Sequence, residues 1–334
     1  ERGHYENRGE VVQRATPEVL TPFPNGAPRD RLGLAEWLTN ADHPLLARVT
    51  VNRYWQMIFG RGLVSTSEDF GMQGKPPTHP ELLDWLARDL INSGWNLHHI
   101  LKKMVLSHTY RQESRIISLA QEKDPENLLL SRSSAYRLPA EMIRDGLLSH
   151  SQLLHKKIGG PSSKPYDLNV SFKPIHPDGA PNVYRRSLYT FWKRTGPTPV
   201  MMALDASKRD VCTVRRERTD SPSQSLILLN GTQFVEAARA LADQLIAKHG
   251  ENNPMGLIND AFRQLTSRYP SENEAVILLN LLREQKEYFT DSKEADKFLL
   301  VGYYKANSNN PSNLAAVTSM ISTLMNFDGT LSKR

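Results

Sequence analysis

Cysteine is nearly absent from this chain of 334 residues, which contains Cys212 alone. A single cysteine excludes an internal disulfide, and the CxxC and CxxCH spacings that hold zinc or attach haem are missing as well. We therefore expect no metal and no cofactor in this chain. Arg209, Arg215 and Arg216 lie near Cys212 in sequence and would favour a reactive thiolate, but a small apolar side chain packed within a loop is the preferred interpretation.

Long apolar runs are also absent. No stretch approaches the roughly 18 residues that a membrane-spanning helix requires, so we expect no membrane span. A charged-then-apolar signal peptide is missing too, but the chain begins with Glu1 instead of Met, and we expect it to be part of a longer protein. The missing signal therefore says nothing about where the parent protein resides.

The motifs of common hydrolases and metalloenzymes are not found. There is no GxSxG, SxxK or HExxH sequence, and "GGPSSK" at residues 159–164 lacks the spacing of a phosphate-binding loop. His98 and His99 are adjacent, so on a helix their side chains point about 100° apart and do not readily share a metal. We expect the histidines to be solvated or to cap helices.

Positive charge is present, and it is concentrated in one stretch. The chain carries a net charge of +6, and residues 184–218 contain nine Lys or Arg against three acidic residues, so the remainder is balanced. Tyr189, Phe191 and Trp192 are interleaved with these basic residues. A local excess of this kind indicates an anionic partner or a set of ion pairs that holds the stretch in place.

Helical periodicity dominates the rest of the sequence, and we predict a mostly α fold. It consists of a helical body with an irregular central insertion that contains a short strand or hairpin, the strand being "RRSLYTFW" at residues 185–192. We divide the chain by composition and period into an extended strap that lies on the domain, an N-terminal helical part, a basic and aromatic insertion and a C-terminal helical part, which together form one composite domain. Their boundaries are 1–30, 31–155, 156–220 and 221–334.

Helix starts and stops are marked by capping residues. Asp30 caps a first helix, and Gly60 and Gly250 end two others. Capping boxes are predicted for three helices, each with a hydroxyl residue and a Glu or Gln three positions later. These pairs are Thr78 with Glu81, Ser221 with Gln224, and Ser271 with Glu274.

Acidic residues in loops are the candidates for catalysis, because glycosidases act through two carboxylates. Glu68 and Asp69 follow a helix in "STSEDFG", and Asp205 lies in the insertion. With His79, we take Asp69 and Asp205 as the catalytic candidates. Acids in such positions more often cap helices or pair with arginine.

The basic and aromatic stretch allows three interpretations. A nucleic acid would place phosphates on the basic residues and bases on the aromatic rings. A glycan would use the rings as platforms and arginines as bidentate partners of carboxylate or sulfate groups. In the third interpretation, arginines pair with acids such as Asp205 and Glu217 and attach the insertion to the core. The predicted substrate-binding residues, which would line a cleft between the N-terminal helices and the insertion, are Arg53, Trp192, Lys193, Arg194, Arg209, Arg216 and Arg218.

Longer strings of residues resemble a known family. These are "RLGLAEWLTN" and the sequence that follows it to "SHTYRQES", "RLPAEMIRDGLL", and the stretch from "RSLYTFWKRTG" to "TQFVEAARALA". Together they resemble the C-terminal domain of unknown function of large planctomycete-type secreted proteins. In those proteins the domain follows a second uncharacterised domain and often a cytochrome-c-like domain.

The resemblance implies an extracytoplasmic (periplasmic or secreted) location, a polysaccharide-associated role and a parent protein whose missing N-terminal part could carry haem c. It implies no reaction. We therefore expect either a module that binds or processes acidic or sulfated glycans, or a non-catalytic structural and docking domain that contacts other domains of the parent in a cytochrome-c-containing assembly. Nucleic-acid binding is the third and least favoured expectation.

Overall fold

The computed structural model describes residues 5–6, 8–166, 175–194 and 196–334. The chain divides into two compact units, Glu1–Ser134 and Ala135–Arg334. This division is based on contacts between residues, whereas the boundaries predicted at 155 and 220 are based on the helical periodicity and the composition of the sequence. Residues 1–4 and 7 of the strap, and residues 167–174 and 195 of the insertion, lie outside the described residues.

The first unit is a small helical body. Its helices are α1 (Arg31–Thr39), α2 (Leu46–Phe59), α3 (Pro80–Asn92), α4 (Leu97–Leu106), α5 (His108–Arg111) and α6 (Ser118–Lys123). The apolar face of α2 packs against α3 and α4, where Val51 and Leu90 are fully buried. The rings of Trp55 and Phe59, one helical turn apart, stack with centroids 4.0 Å apart. The predicted apolar stripes of these helices therefore form one core.

The strap has two parts. Residues 8–15 are exposed along their whole length, whereas part of the stretch 20–30 contacts α1. The indole N–H of Trp37 donates to the carbonyl of Thr21 at 2.7 Å. A Cβ at Gly33 would lie 2.0 Å from the carbonyl oxygen of Pro28, so the strap passes against the helix where only glycine fits.

Most of the predicted caps are confirmed. The carboxylate of Asp30 accepts from the N–H groups of Leu32 and Gly33, and Ser221 and Ser271 each begin a complete capping box. The predicted box at Thr78 is wrong. Pro80 is the first residue of α3, so His79 occupies the N-cap and Thr78 lies outside the helix, where its N–H donates to the carbonyl of Leu63.

The second unit contains the remaining elements. They are β1 (Tyr136–Arg137), α7 (Ala140–His150), two 3-10 turns (Asn182–Tyr184 and Ser187–Tyr189), α8 (Pro199–Ala203), α9 (Pro222–Asn230), α10 (Thr232–His249), α11 (Pro254–Thr266), α12 (Glu272–Tyr288), α13 (Ser292–Leu299), α14 (Pro311–Met325), α15 (Asp328–Leu331) and β2 (Ser332–Lys333). Helices α10 and α14 pack along each other at its centre. Fully buried alanines, including Ala237, Ala238, Ala315 and Ala316, allow this close approach.

The predicted mostly α fold is confirmed. Strand structure is limited to short pieces among the described residues, and β1 pairs antiparallel with β2. The predicted strand in the insertion is replaced by the turn Ser187–Tyr189, while Lys193 and Gly196 form a single antiparallel bridge. Within the described part of the chain, each helix is too short or too polar to cross a bilayer.

Helix α10 carries three buried charged side chains, which we call the α10 charged seam: Glu236, Arg239 and Asp243. They face the segment 299–308, which runs from the last residue of α13 towards α14 and has no regular structure beyond Leu299. Glu236 Oε1 accepts from the backbone N–H groups of Tyr303 and Tyr304. Its contacts therefore replace the hydrogen bonds that a strand or helix would supply to this segment.

Arg239 and Asp243 also form hydrogen bonds with the backbone of this segment. Arg239 donates to the carbonyls of Leu299, Val301 and Tyr304. Asp243 Oδ1 accepts from the N–H of Ser308 at 3.0 Å, and Oδ2 accepts from Asn307 N–H and the Tyr304 hydroxyl at 2.9 and 2.7 Å. Burial and the hydrogen bond to Asp243 raise the pKa of Tyr304 to about 12. The segment is thereby held from both its N–H and its C=O groups.

Gly302 is required where the segment passes Glu236. Its φ is +67°, and a Cβ there would lie 2.1 Å from Cδ of Glu236. We expect Gly302→Ala to lower the free energy of unfolding by about 2 to 4 kcal/mol, from backbone strain plus steric overlap. Gly250→Ala is the control, since Gly250 also has a positive φ, +71°, but has open space around it, so only strain of about 1 to 2 kcal/mol is expected. Equal losses in chemical denaturation of the two variants would contradict the tight contact.

Candidate functional site

Asp205 stands at the end of α8 with a φ of +63°, a left-handed conformation that aspartate tolerates better than most residues. Its carboxylate is largely buried and accepts from the Thr219 N–H at 2.7 Å and the Thr219 hydroxyl at 2.9 Å. Gln224 Nε2 donates to the same carboxylate at 3.2 Å. These bonds connect the two ends of the exposed loop 207–218.

Arg137 of β1 reinforces this connection. It donates to the carbonyl of Thr219 at 2.6 Å and to the Gln224 side-chain oxygen, and it lies 3.9 Å from Asp205. We call Arg137, Asp205, Thr219 and Gln224 the Asp205 network. Within it, the predicted catalytic carboxylate is surrounded by protein donors that position the loop.

Two arginines of the basic stretch stack on aromatic rings. The guanidinium of Arg209 lies 4.6 Å from the ring centroid of Trp192, and that of Arg218 lies 4.3 Å from the centroid of Tyr136. Burial against the ring lowers the pKa of Arg218, an effect that the nearby Tyr136 opposes. Trp192 itself packs against the core of the second unit. Stacking thus fixes the position of both guanidinium groups.

The other two aromatic rings of the stretch also have partners within the protein. Arg185 lies 4.0 Å above the ring of Tyr189 and is itself buried, donating to the carbonyls of Gly159 and Pro161, each at 2.6 Å. Phe191 packs against Tyr166 and Ile175. Arg185 is therefore a structural arginine, and the rings are not a row of open stacking platforms.

The remaining basic candidates lie closer to solvent. Arg216 donates to Glu141 at 2.5 Å, and the side chains of the pair are 41% and 22% exposed. Arg194 is exposed, and Lys193 is half-buried beside the short bridge to Gly196. The pairing of Arg216 with a helix acid was an element of the third interpretation of this stretch.

The candidates in the first unit have local roles. Asp69 accepts from the N–H of Gly71 at 2.7 Å and so stabilises a turn. His79 caps α3, with Nδ1 3.0 Å from the Thr78 hydroxyl, and Arg53 is exposed on α2. These residues belong to Glu1–Ser134, whereas Trp192, Asp205 and the arginines from 194 to 218 belong to Ala135–Arg334.

The preferred interpretation of Cys212 is wrong, because its side chain is exposed rather than packed. It lies in the exposed loop 207–218, where the described apolar side chains do not gather into a core. Among residues 5–6, 8–166, 175–194 and 196–334, no three His, Cys, Asp or Glu side chains are grouped to hold a metal ion.

Sequence reasoning missed the side chains that organise the site. Arg137, Tyr136 and Glu141 precede or begin α7 and were not connected with the basic stretch, about 75 residues further along the chain. Gln224 was recognised only as a helix cap, although its side chain also contacts Asp205. The residues of these pairs are far apart in sequence, and no local periodicity or motif indicates that they pair.

The Asp205 network and the Arg216–Glu141 pair should differ in their effect on stability. We expect Asp205→Ala to lower the free energy of unfolding by about 1 to 3 kcal/mol, because the buried Gln224 side chain and the Thr219 N–H lose their acceptor. Arg216→Ala should cost less than about 1 kcal/mol, since the pair is partly solvated. Chemical denaturation of both variants measures this order, and a larger loss for Arg216→Ala would contradict it.

Comparisons with known proteins identify the family of the chain but no activity. A family model described as "PSD1: Protein of unknown function (DUF1553)" matches residues 30–282, more than half of the chain. No curated protein and no solved structure is significantly similar to the chain. The predicted resemblance to a domain of unknown function is confirmed by this match. The chain belongs to the PSD1 family of proteins of unknown function.

Proposed function

We propose that the second unit is a module for binding anionic polysaccharides, through a surface that we call the arginine surface. It comprises the exposed basic residues of the stretch, all of which lie between the first 3-10 turn and α9. They are Arg186, Arg194, Lys208, Arg209, Arg215, Arg216 and Arg218. Seven cations in one stretch of a protein that is otherwise balanced in charge attract a polyanion.

The observation that carries the proposal is the stacking of Arg209 on Trp192 and of Arg218 on Tyr136. A guanidinium held over a ring loses little further entropy on binding, and the Arg209 guanidinium can then pair bidentately with a sulfate or carboxylate. Among the described residues, Arg209 forms no ion pair with an acidic side chain, and its cationic group lies over the Trp192 ring.

The same rings argue for a glycan over a nucleic acid. Binding of single-stranded nucleic acid draws much of its energy from bases stacked on open aromatic faces. Tyr189 and Trp192 each have an arginine on one face, and Phe191 packs against Tyr166. Sulfated or uronic chains need only the guanidinium edges. We therefore place nucleic acid third, as a weak competitor attracted by charge alone.

The family resemblance supports the wider setting of this proposal. We infer that the module is part of a secreted, polysaccharide-associated bacterial multidomain protein of the planctomycete type, acting outside the cytoplasm. Any haem c of the assembly would then belong to another part of the parent. No reaction is assigned, because the acidic candidates Asp69 and Asp205 are occupied by local hydrogen bonds.

A second candidate function is docking to other domains of the parent protein. It is favoured by the apolar side chains of the strap, since Tyr5, Val11 and Val19 are each at least 90% exposed. Apolar residues clustered on an extended segment often become buried against a partner. In this alternative the arginine surface would contact an acidic protein face.

The proposal is tested by measuring the affinity of the full chain for heparin, chondroitin sulfate and single-stranded DNA at about 50 mM and about 200 mM salt. We expect the sulfated glycans to bind more tightly than DNA, with affinity falling as salt rises. Arg209→Ala and Arg218→Ala should each weaken binding roughly fivefold to tenfold, on the order of 1 kcal/mol per stacked arginine.

Arg263→Ala is the matched control, since Arg263 also stacks on a ring, Tyr269 at 5.1 Å, but belongs to α11 rather than to the arginine surface. It should leave the affinity for heparin unchanged. If neither glycan binds, or if all three variants lose affinity for heparin equally, the glycan proposal is contradicted and docking is favoured. Tighter binding of DNA than of heparin would favour the nucleic-acid alternative.

A further inference from the structure

A pocket of about 260 Å³ lies within the second unit, apart from the Asp205 network and the arginine surface. Its walls come from α8, the first turns of α10 and the segment that passes Gly302. The apolar wall includes Pro199, Val200, Met201 and Phe234. Pockets for drug-sized ligands usually measure about 300–1,000 Å³, so this one suits a smaller molecule, about the size of a single ring.

Glu236 presents an unused hydrogen-bonding atom to the pocket. Glu236, which is 1% exposed, accepts three hydrogen bonds at Oε1, from the Tyr184 hydroxyl and from the N–H groups of Tyr303 and Tyr304. Among the residues that the structure describes, none donates to its Oε2, and Glu236 lines the pocket. This oxygen is reachable from the pocket, so a ligand bound there can donate a hydrogen bond to it in place of water.

Two neighbouring polar side chains, Arg144 and Gln233, are already engaged, whereas the buried Thr198 Oγ1, which also lines the pocket, has no hydrogen-bond partner among the described residues. Arg144 donates from Nε to Gln233 at 2.8 Å and from its terminal nitrogens to the carbonyls of Arg185 and Val183 at 2.9 and 2.8 Å. Gln233 donates in turn to Val183 at 3.0 Å. These hydrogen bonds fix the polar side of the pocket, to which Glu236 also belongs. Glu236 therefore presents an acceptor in a fixed position opposite the apolar wall.

The two charged side chains that line the pocket, Glu236 and Arg144, each have an oppositely charged side chain nearby. Arg239 lies close enough to Glu236 for their charges to interact, and Arg144 lies 3.3 Å from Asp145. A cationic or anionic ligand would therefore bring an uncompensated charge into a largely apolar space, at a high desolvation cost. A neutral hydroxyl supplies a donor without that cost.

The geometry points to a binding site for a small neutral ring alcohol, of the size of one sugar ring. Its hydroxyl donates to Glu236 Oε2, and its C–H face packs against the apolar wall of Val200 and Phe234. Neither the family match nor the arginine surface assigns such a site. The inference does not rest on polyanion binding, because the pocket and the arginine surface use different residues.

The test is ligand-observed NMR and calorimetric titration of the full chain with glucose, galactose and their 6-deoxy forms. Glucosamine and glucuronate are the cationic and anionic counterparts. We expect at least one neutral sugar to bind at least tenfold more tightly than either charged counterpart. Failure of every neutral sugar to bind, or equal binding of a charged counterpart, overturns the inference.

Two variants separate the pocket from general stability. Val200→Trp should fill the pocket and abolish binding, whereas Val276→Trp makes the same change at an exposed position of α12 and should have no effect. Glu236→Gln keeps an acceptor for the three donors but places an NH2 group at the pocket, so binding should weaken at least tenfold. Glu236→Gln also removes a buried charge. If Glu236→Gln fails to fold, the result for Val200→Trp decides the test. Binding that survives in folded Val200→Trp contradicts the site.

Discussion

The second unit depends on burying three charged side chains on a helix that is buried over most of its length. Helix α10 can pack in the centre of the unit only if Glu236, Arg239 and Asp243 find partners, because an unpaired buried charge costs several kcal/mol. The segment 299–308 supplies them from its own backbone. This arrangement has two effects: the charged side chains gain hydrogen-bond partners, and an irregular connection gains the hydrogen bonds that regular structure would have provided.

Other features follow from this arrangement. Holding the segment against α10 leaves a space beside the start of the helix, and Glu236 both fixes the segment and faces that space. The exposed basic loop is held in a similar way, because the Asp205 carboxylate accepts hydrogen bonds from Thr219 and Gln224. Of the arginines between them, Arg209 and Arg218 are ordered by aromatic rings, whereas Arg216 pairs with Glu141.

Much of the helical framework could be predicted from sequence, for physical reasons that are local. Caps such as Asp30 and Ser271 act within three residues, and glycine stops such as Gly60 and Gly250 need no distant partner. The box at Thr78 failed because Pro80 moved the helix start by one residue, although the pattern itself was present.

The site was harder to predict, because its contacts span about 75 to 90 residues of chain, as between Arg216 and Glu141 or Arg137 and Gln224. A signal for the α10 charged seam was nevertheless available. "EAARALAD" places charges in a helix too rich in alanine and leucine to have a polar face, and such charges must be paired inside. The account is tested most directly by amide hydrogen exchange of Tyr303, Tyr304 and Ser308. It predicts protection comparable to that of α10 despite the lack of regular structure, and exchange as fast as in the exposed loop 207–218 would contradict it.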